Sequence, residues 1–306
     1  MQRILLIAIT ILVGLSMGAL VGIKNPVVER NVKTHLEKII YRASGIPTEI
    51  DSLSFNVWPP GLNLEGLRFY RQSTDEKETW FSIKRIGLAL QLWPNQQGDW
   101  VLTRLVFDGL TGELKLPETA EPADERNALK RNSVNELSKL PFDIQHLALW
   151  NTNLSIQRGG TSVVLRNADF EIRPQAQNQR IISFDLASGH LHHGERDISF
   201  ETTLKAKFYG SLAQPQKATI EHAYIDLKRV SLAAAGNMEF AETGAHFDVG
   251  LKGKLNFNQL RQIIGEFPEI QGNMQFQSQI LGSPTNPAFH LMLQTDELYF
   301  QDTDYG

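Results

Sequence analysis

The chain has no cysteine among its 306 residues, so disulfide frameworks, thiolate zinc sites and cysteine nucleophiles are excluded from the start. Signatures of the common catalytic machineries are missing as well. There is no His-Glu-x-x-His pair for a zinc hydrolase and no Gly-x-Ser-x-Gly elbow for a serine esterase. Nor is there a glycine-rich loop ending in Gly-Lys-Ser/Thr to cradle nucleotide phosphates. A formal net charge of −4 leaves no basic field for nucleic acid. Carboxylates are scattered along polar strand positions, where solvation places them. The sequence therefore predicts a non-enzymatic protein with no cofactor.

What is present begins with one long apolar run. Ile4 to Ile23 reads ILLIAITILVGLSMGALVGI, without a charge and with only Thr10 and Ser16 as hydroxyls. At about 1.5 Å per residue this run spans roughly 30 Å, the thickness of a hydrocarbon core. Lipid offers the backbone no partners, so a spanning helix is the form expected, starting at Ile4, centred near Leu12 and ending at Ile23. A cleaved signal peptide is the competing reading, with Ser16-Met17-Gly18 as its cleavage site. The apolar stretch continues past that site with no polar segment, which favours an uncleaved anchor over 1–23. Basic residues flank the run on both sides (Arg3; Lys24, Arg30, Lys33), so charge alone does not orient it.

Asn25-Pro26 interrupts the run, and 24–45 reads as a short amphipathic helix. Val28, Val32, Leu36, Ile39 and Ile40 recur at helical spacing, and Ser44-Gly45 provides the stop. Capping a sheet is its expected task, ahead of lying on a membrane surface. From Ile46 the period changes from 3.6 to 2. Ile86, Leu88, Leu90 and Leu92 form the clearest alternation, closed by Trp93-Pro94-Asn95.

Alternation fills 46–117 and resumes over 142–306, which are read as two β-rich segments. Between them, 118–141 is an acidic, proline-containing loop with a short helix suggested by Leu129, Val134, Leu137 and Leu140. Two stretches look alike: Leu105 to Leu116 around Asp108-Gly109, and Leu147 to Ile156 around Asn151. Each reads as a strand, a tight turn and a returning strand. A last helical fragment is expected over Asn258 to Phe267. Strand signals then run to Phe300, which reads as the N-terminal part of a longer protein or as an edge covered by a partner.

Eight histidines are present, and His190, His192 and His193, with Asp185 and Glu195 nearby, are the best metal candidates. Gly189 and Gly194 mark that segment as a solvated hairpin tip, the reading favoured here. The five tryptophans fall near strand ends and turns, as packing at a sheet rim would place them. The collective feature is a dozen or more strands each offering an apolar stripe, with little helix to cover them. Alternation is equally compatible with stripes packed on one another or with a trough that holds a guest. Acyl chains suit such a trough, since each buried methylene contributes about 0.8 kcal/mol. Leu88, Leu90, Leu92, Phe184, Phe200 and Phe208 are the candidate inner wall.

The opening of the chain, with its anchor followed by HLEKIIYRASGIPTEIDSLSFNVWPPGLNLEGLRFY (His35 to Tyr70), resembles the AsmA-like superfamily of Gram-negative envelope proteins. The phrases Ile50-Asp51-Ser52-Leu53 and Leu62-Asn63-Leu64-Glu65-Gly66-Leu67 carry the likeness, and Ile86 to Leu116 looks like the next two strands of that pattern. Gly272 to Leu293 looks like a repeat phrase shared with TamB and its relatives. The acidic insert around Glu118 to Glu125 has no counterpart. The resemblance implies an inner-membrane protein with a cytoplasmic N-terminus and a periplasmic β-groove. It further implies phospholipid movement toward the outer membrane and a part in outer-membrane assembly. The expected fold is mainly β, a curved, mostly antiparallel open sheet with an N-terminal transmembrane helix and a few short helices. The expected partners are phospholipid, the inner membrane, and outer-membrane or periplasmic assembly proteins. A non-transporting scaffold acting through exposed sheet edges is the alternative.

Overall fold

Proline lacks an amide donor, and the first turn of a helix is where that lack costs nothing. Helix α1 (Pro26–Ser44) starts on such a residue and ends as its sequence predicts. Gly45 takes a left-handed φ of 69° and its N–H donates to the carbonyl of Tyr41 at 2.7 Å. A computed structural model describes residues 26–56, 58–72, 77–91, 100–116, 142–176, 179–194, 196–210, 215–228, 230–241, 244–264, 270–283 and 286–300. The apolar run Ile4–Ile23, with Leu12 at its centre, lies outside them, as do Leu92 and the 118–141 insert. No helix among the described residues is long and apolar enough to cross a membrane.

The rest is sheet. In chain order the strands are β1 (Thr48–Glu49), β2 (Ser52–Asn56), β3 (Gly61–Gln72), β4 (Lys77–Leu90), β5 (Trp100–Leu116), β6 (Phe142–Ile144), β7 (Leu147–Arg158) and β8 (Thr161–Ala176). They continue as β9 (Gln179–His193), β10 (Arg196–Gly210), β11 (Pro215–Asp226), β12 (Ser231–Ala241) and β13 (Gly244–Asn256). Helix α2 (Phe257–Ile264) precedes β14 (Ile270–Ser283) and β15 (Asn286–Phe300). The strands hydrogen-bond in the order β1-β3-β4-β5-β7-β8-β9-β10-β11-β12-β13-β14-β15. β2 pairs with β3, and β6 runs parallel to β5. The sheet is open and mostly antiparallel.

By contacts the chain divides into two units, Met1–Ile156 with Glu171–Arg173 and Gln157–Phe170 with Pro174–Gly306. The first unit has a dry core. Val32, Leu36 and Ile40, four residues apart, put one stripe of α1 into a buried cluster that also holds Ile50, Leu53, Leu62, Leu64, Leu88 and Leu105. Leu36 and Ile40 are nearly sealed from solvent, each worth about 1.5–3 kcal/mol of burial. Glu37 fastens the helix by accepting the N–H of Ile50 at 2.9 Å.

Asp108-Gly109 and Asn151 correct the sequence reading. Neither is a tight turn; β5 and β7 run straight through them. Gly109 at φ 69° and Asn151 at φ 53° make a single left-handed step inside a continuing strand. Asn151 Nδ2 donates to Asp108 Oδ1 at 2.8 Å, and Arg85 to Asp108 Oδ2 at 2.9 Å, so the steps are cross-linked. Around them the buried residues change parity: Leu64 and Leu67, Ile83 and Ile86, and Phe107 and Leu110 are three apart yet all buried.

Candidate functional site

The second unit is organised differently. In antiparallel pairing, residues directly opposite one another share a face, so the register assigns every side chain to one side or the other. Starting at Phe184 and stepping strand by strand gives Leu204, Ala223, Ala234, Leu251, Ser278 and Leu291. The parallel row through Ile182 gives Ala206, Ile220, Gly236, Val249, Ile280 and Phe289. A third, from Leu186, runs through Thr202, Ile225 and Leu232 to Gly253, Phe276 and Leu293. Seven strands at about 4.8 Å make each row roughly 29 Å long.

On the opposite face the rows are mostly polar. Thr203 faces Tyr224, and the row runs on to Lys252, Gln277 and Met292. Glu221 receives the ammonium groups of both Lys205, at 3.0 Å, and Lys207. The Lys207 hydrogen bond, then that of Lys205, holds the Glu221 carboxyl below the usual carboxylate range, and Glu221 in turn raises Lys207. Lys217 pairs with Glu239 at 3.0 Å, and Gln279 donates to Asp248 at 2.9 Å. Tyr224 donates to Asp226 at 2.7 Å, which pushes the tyrosine up. A shallow depression on this side is lined by Lys252, Lys254, Gln275, Gln277 and Gln294 among others.

Among the described residues every strand of this unit belongs to one sheet, so no second sheet covers the apolar face, although Leu186, Ala206 and Ala218 on it are buried. Helix α2 touches β10, β13 and β14 and is the one helix of the unit among the described residues. Phe184, Phe200 and Phe208 are only half-buried. Along β15, the last strand in the order, Phe289, Leu291 and Leu293 are 63%, 60% and 57% exposed.

The sequence-predicted wall residues therefore separate. Phe184, Phe200 and Phe208 share the apolar face of the second unit. Leu88 and Leu90 are 3% and 4% exposed inside the first unit's core, packed among that unit's own apolar residues. Reading the sequence alone missed how far the face extends. Its continuity passes through Ala218, Ala223, Ala234, Gly236 and Gly253, small residues that carry little hydropathy signal. Period-2 spacing of Phe247, Val249 and Leu251, and of Phe289, Leu291 and Leu293, is the signal that could have found the rest.

The histidines do not converge. His190 lies 3.2 Å from Ser199 Oγ and 4.0 Å from Asp197, while His193 Nδ1 is 2.6 Å from Thr161 Oγ1. β9 runs on to His193 and the turn falls at Gly194, so Gly189 is a strand residue. Among the described residues no group of three or more His, Asp or Glu is placed to hold a metal. Glu195 lies outside them.

No protein-family model matches the chain, and no curated protein matches it. The functional reading rests on the geometry and the sequence.

Proposed function

We propose that this protein is an inner-membrane-anchored periplasmic β-protein of AsmA-like type that shields phospholipid acyl chains between the envelope membranes. Residues 1–23 anchor it with the N-terminus in the cytoplasm, and the β-rich body supports outer-membrane biogenesis without catalysing a reaction. The observation that carries the reading is the apolar face of β9 to β15, which no second sheet of the unit covers among the described residues and which is most exposed along β15. Exposed apolar patches on soluble proteins rarely exceed a few hundred Å², and larger ones mark binding surfaces. An acyl chain needs no directional partner, so a face made mostly of aliphatic and aromatic side chains, interrupted by Thr202 and Ser278, suits it. Such contacts are weak one by one, which lets a chain slide along the rows.

One observation favours a second reading. Among the described residues β15 is the last strand of the order, and a partner strand added beside it would extend the sheet by main-chain hydrogen bonds. On that reading the protein is a scaffold for outer-membrane or periplasmic assembly proteins. Lipid analysis of the full chain purified from its membrane separates the two. The lipid account expects phospholipid content to fall when Phe200, Leu251 and Phe276 are replaced together by Gln. Unchanged lipid content in a folded triple variant would leave only the scaffold.

A further inference from the structure

Helix α1 has a second face that the first unit does not use. With Val32, Leu36 and Ile40 turned into the core, Val27, Asn31, Thr34, Lys38 and Tyr41 follow one another at spacings of four and three along the opposite side, all exposed. Arg30, His35 and Arg42 border that stripe and are exposed too. It holds no acidic residue. Both of the helix's carboxylates lie on the packed flank, Glu29 half-buried and Glu37 bonded to the Ile50 N–H. The stripe is thus cationic, carries an apolar residue at its start and a tyrosine near its end, and runs for about 21 Å along the helix.

Where this helix begins matters as much as its charge. The apolar run ends at Ile23 and α1 starts at Pro26, three residues on. An extended chain gains at most about 3.6 Å per residue, so the first turn of α1 lies within about 11 Å of the run's end. If 4–23 spans a bilayer, that distance falls in or just beyond the headgroup layer. Tyrosine and aliphatic side chains favour this zone, and long basic side chains reach its phosphates while their stems stay apolar.

We propose that the outward stripe of α1 rests on the surface of the membrane that anchors the chain, held by anionic phospholipid headgroups. Arg30, Lys38 and Arg42 contact the phosphates, and Val27 and Tyr41 enter the interface. The docked helix fixes which way the first unit faces relative to the bilayer. The inference depends on the reading of 4–23 as a membrane span, given above.

The absence of cysteine makes the test clean, because a single introduced thiol is the only site that labels. The full chain carrying Thr34→Cys, with an environment-sensitive fluorophore on that thiol, is reconstituted into phosphatidylcholine vesicles. Phosphatidylglycerol is either absent or roughly a quarter of the lipid, and a trace of headgroup-nitroxide lipid serves as quencher. Resistance to alkaline extraction is measured on the same vesicles, as the separate check on the span. The expected result is strong quenching with phosphatidylglycerol and weak quenching without it. Combining Arg30→Gln, Lys38→Gln and Arg42→Gln should lower the docked-to-undocked ratio on the order of fivefold per charge removed. A chain that resists extraction yet quenches equally weakly in every sample overturns the docking and leaves the span intact. Equally strong quenching with and without phosphatidylglycerol overturns headgroup recognition. A chain stripped by alkali overturns the span and the docking together.

Discussion

Phe200 lies across Gly189, its cross-strand partner, and the same arrangement recurs with Phe276 over Gly253 and Phe81 over Gly112. In each pair a Cβ on the glycine would overlap the ring, so the ring lies flat against bare backbone. Gly189→Ala should therefore displace Phe200 and cost about 1–3 kcal/mol, read as a lower denaturant midpoint. Leu88 sits in a different setting, sealed in the first unit. Leu88→Ala should cost about 2–5 kcal/mol in stability and leave phospholipid content unchanged in the fraction that folds. A loss of lipid in that fraction would return Leu88 to the binding wall.

Glu221 supplies a pH signature at the same scale. Its pKa is lowered in the fold, so the contribution is complete above the ordinary carboxylate range and fades as pH falls through the depressed folded value. Glu221→Gln should flatten the acid limb of the stability-versus-pH curve; an unchanged limb would mean the two lysines do not hold the carboxylate in solution.

Helix ends were legible at the level of elements because local chemistry sets them. Ser44-Gly45 stops α1 as read, and the fragment predicted over Asn258 to Phe267 is present as α2 as far as Ile264, with 265–267 outside the described residues. The start of α2 comes from Asn256, whose Oδ1 accepts the Gln259 N–H at 3.0 Å while its Nδ2 donates to Asn273 at 2.9 Å. Asn256→Ala should cost about 1 kcal/mol by thermal unfolding, with helical signal lost before strand signal. The interior steps at Gly109 and Asn151 were not legible. A glycine or asparagine between two apolar stretches is the local signature of a hairpin turn. What keeps β5 and β7 running straight instead is the link from Arg85 through Asp108 to Asn151. These residues are 23 and 43 positions apart in the chain, a distance no local pattern carries.

For the whole molecule, alternation announced a β protein but did not distinguish sealed stripes from an open one. Both outcomes occur. In the first unit the stripes of β3, β4 and β5 join that of α1 in one buried cluster, and their leucines are used up. In the second unit the rows run from Phe184, Ile182 and the buried Leu186 to the exposed Phe289, Leu291 and Leu293 of β15, with no second sheet above them among the described residues. Only register reveals this, because it joins the strong residues through alanine and glycine. The account therefore stands on that face holding acyl chains. Photo-crosslinking in the native membrane addresses this most directly, with a photoreactive residue placed in the full chain at Phe200, Leu251 or Leu291, and at Lys205, Lys252 or Gln277 on the opposite face. Phospholipid adducts from the first three positions alone are the predicted result. Adducts from both faces alike, or from neither, would contradict it.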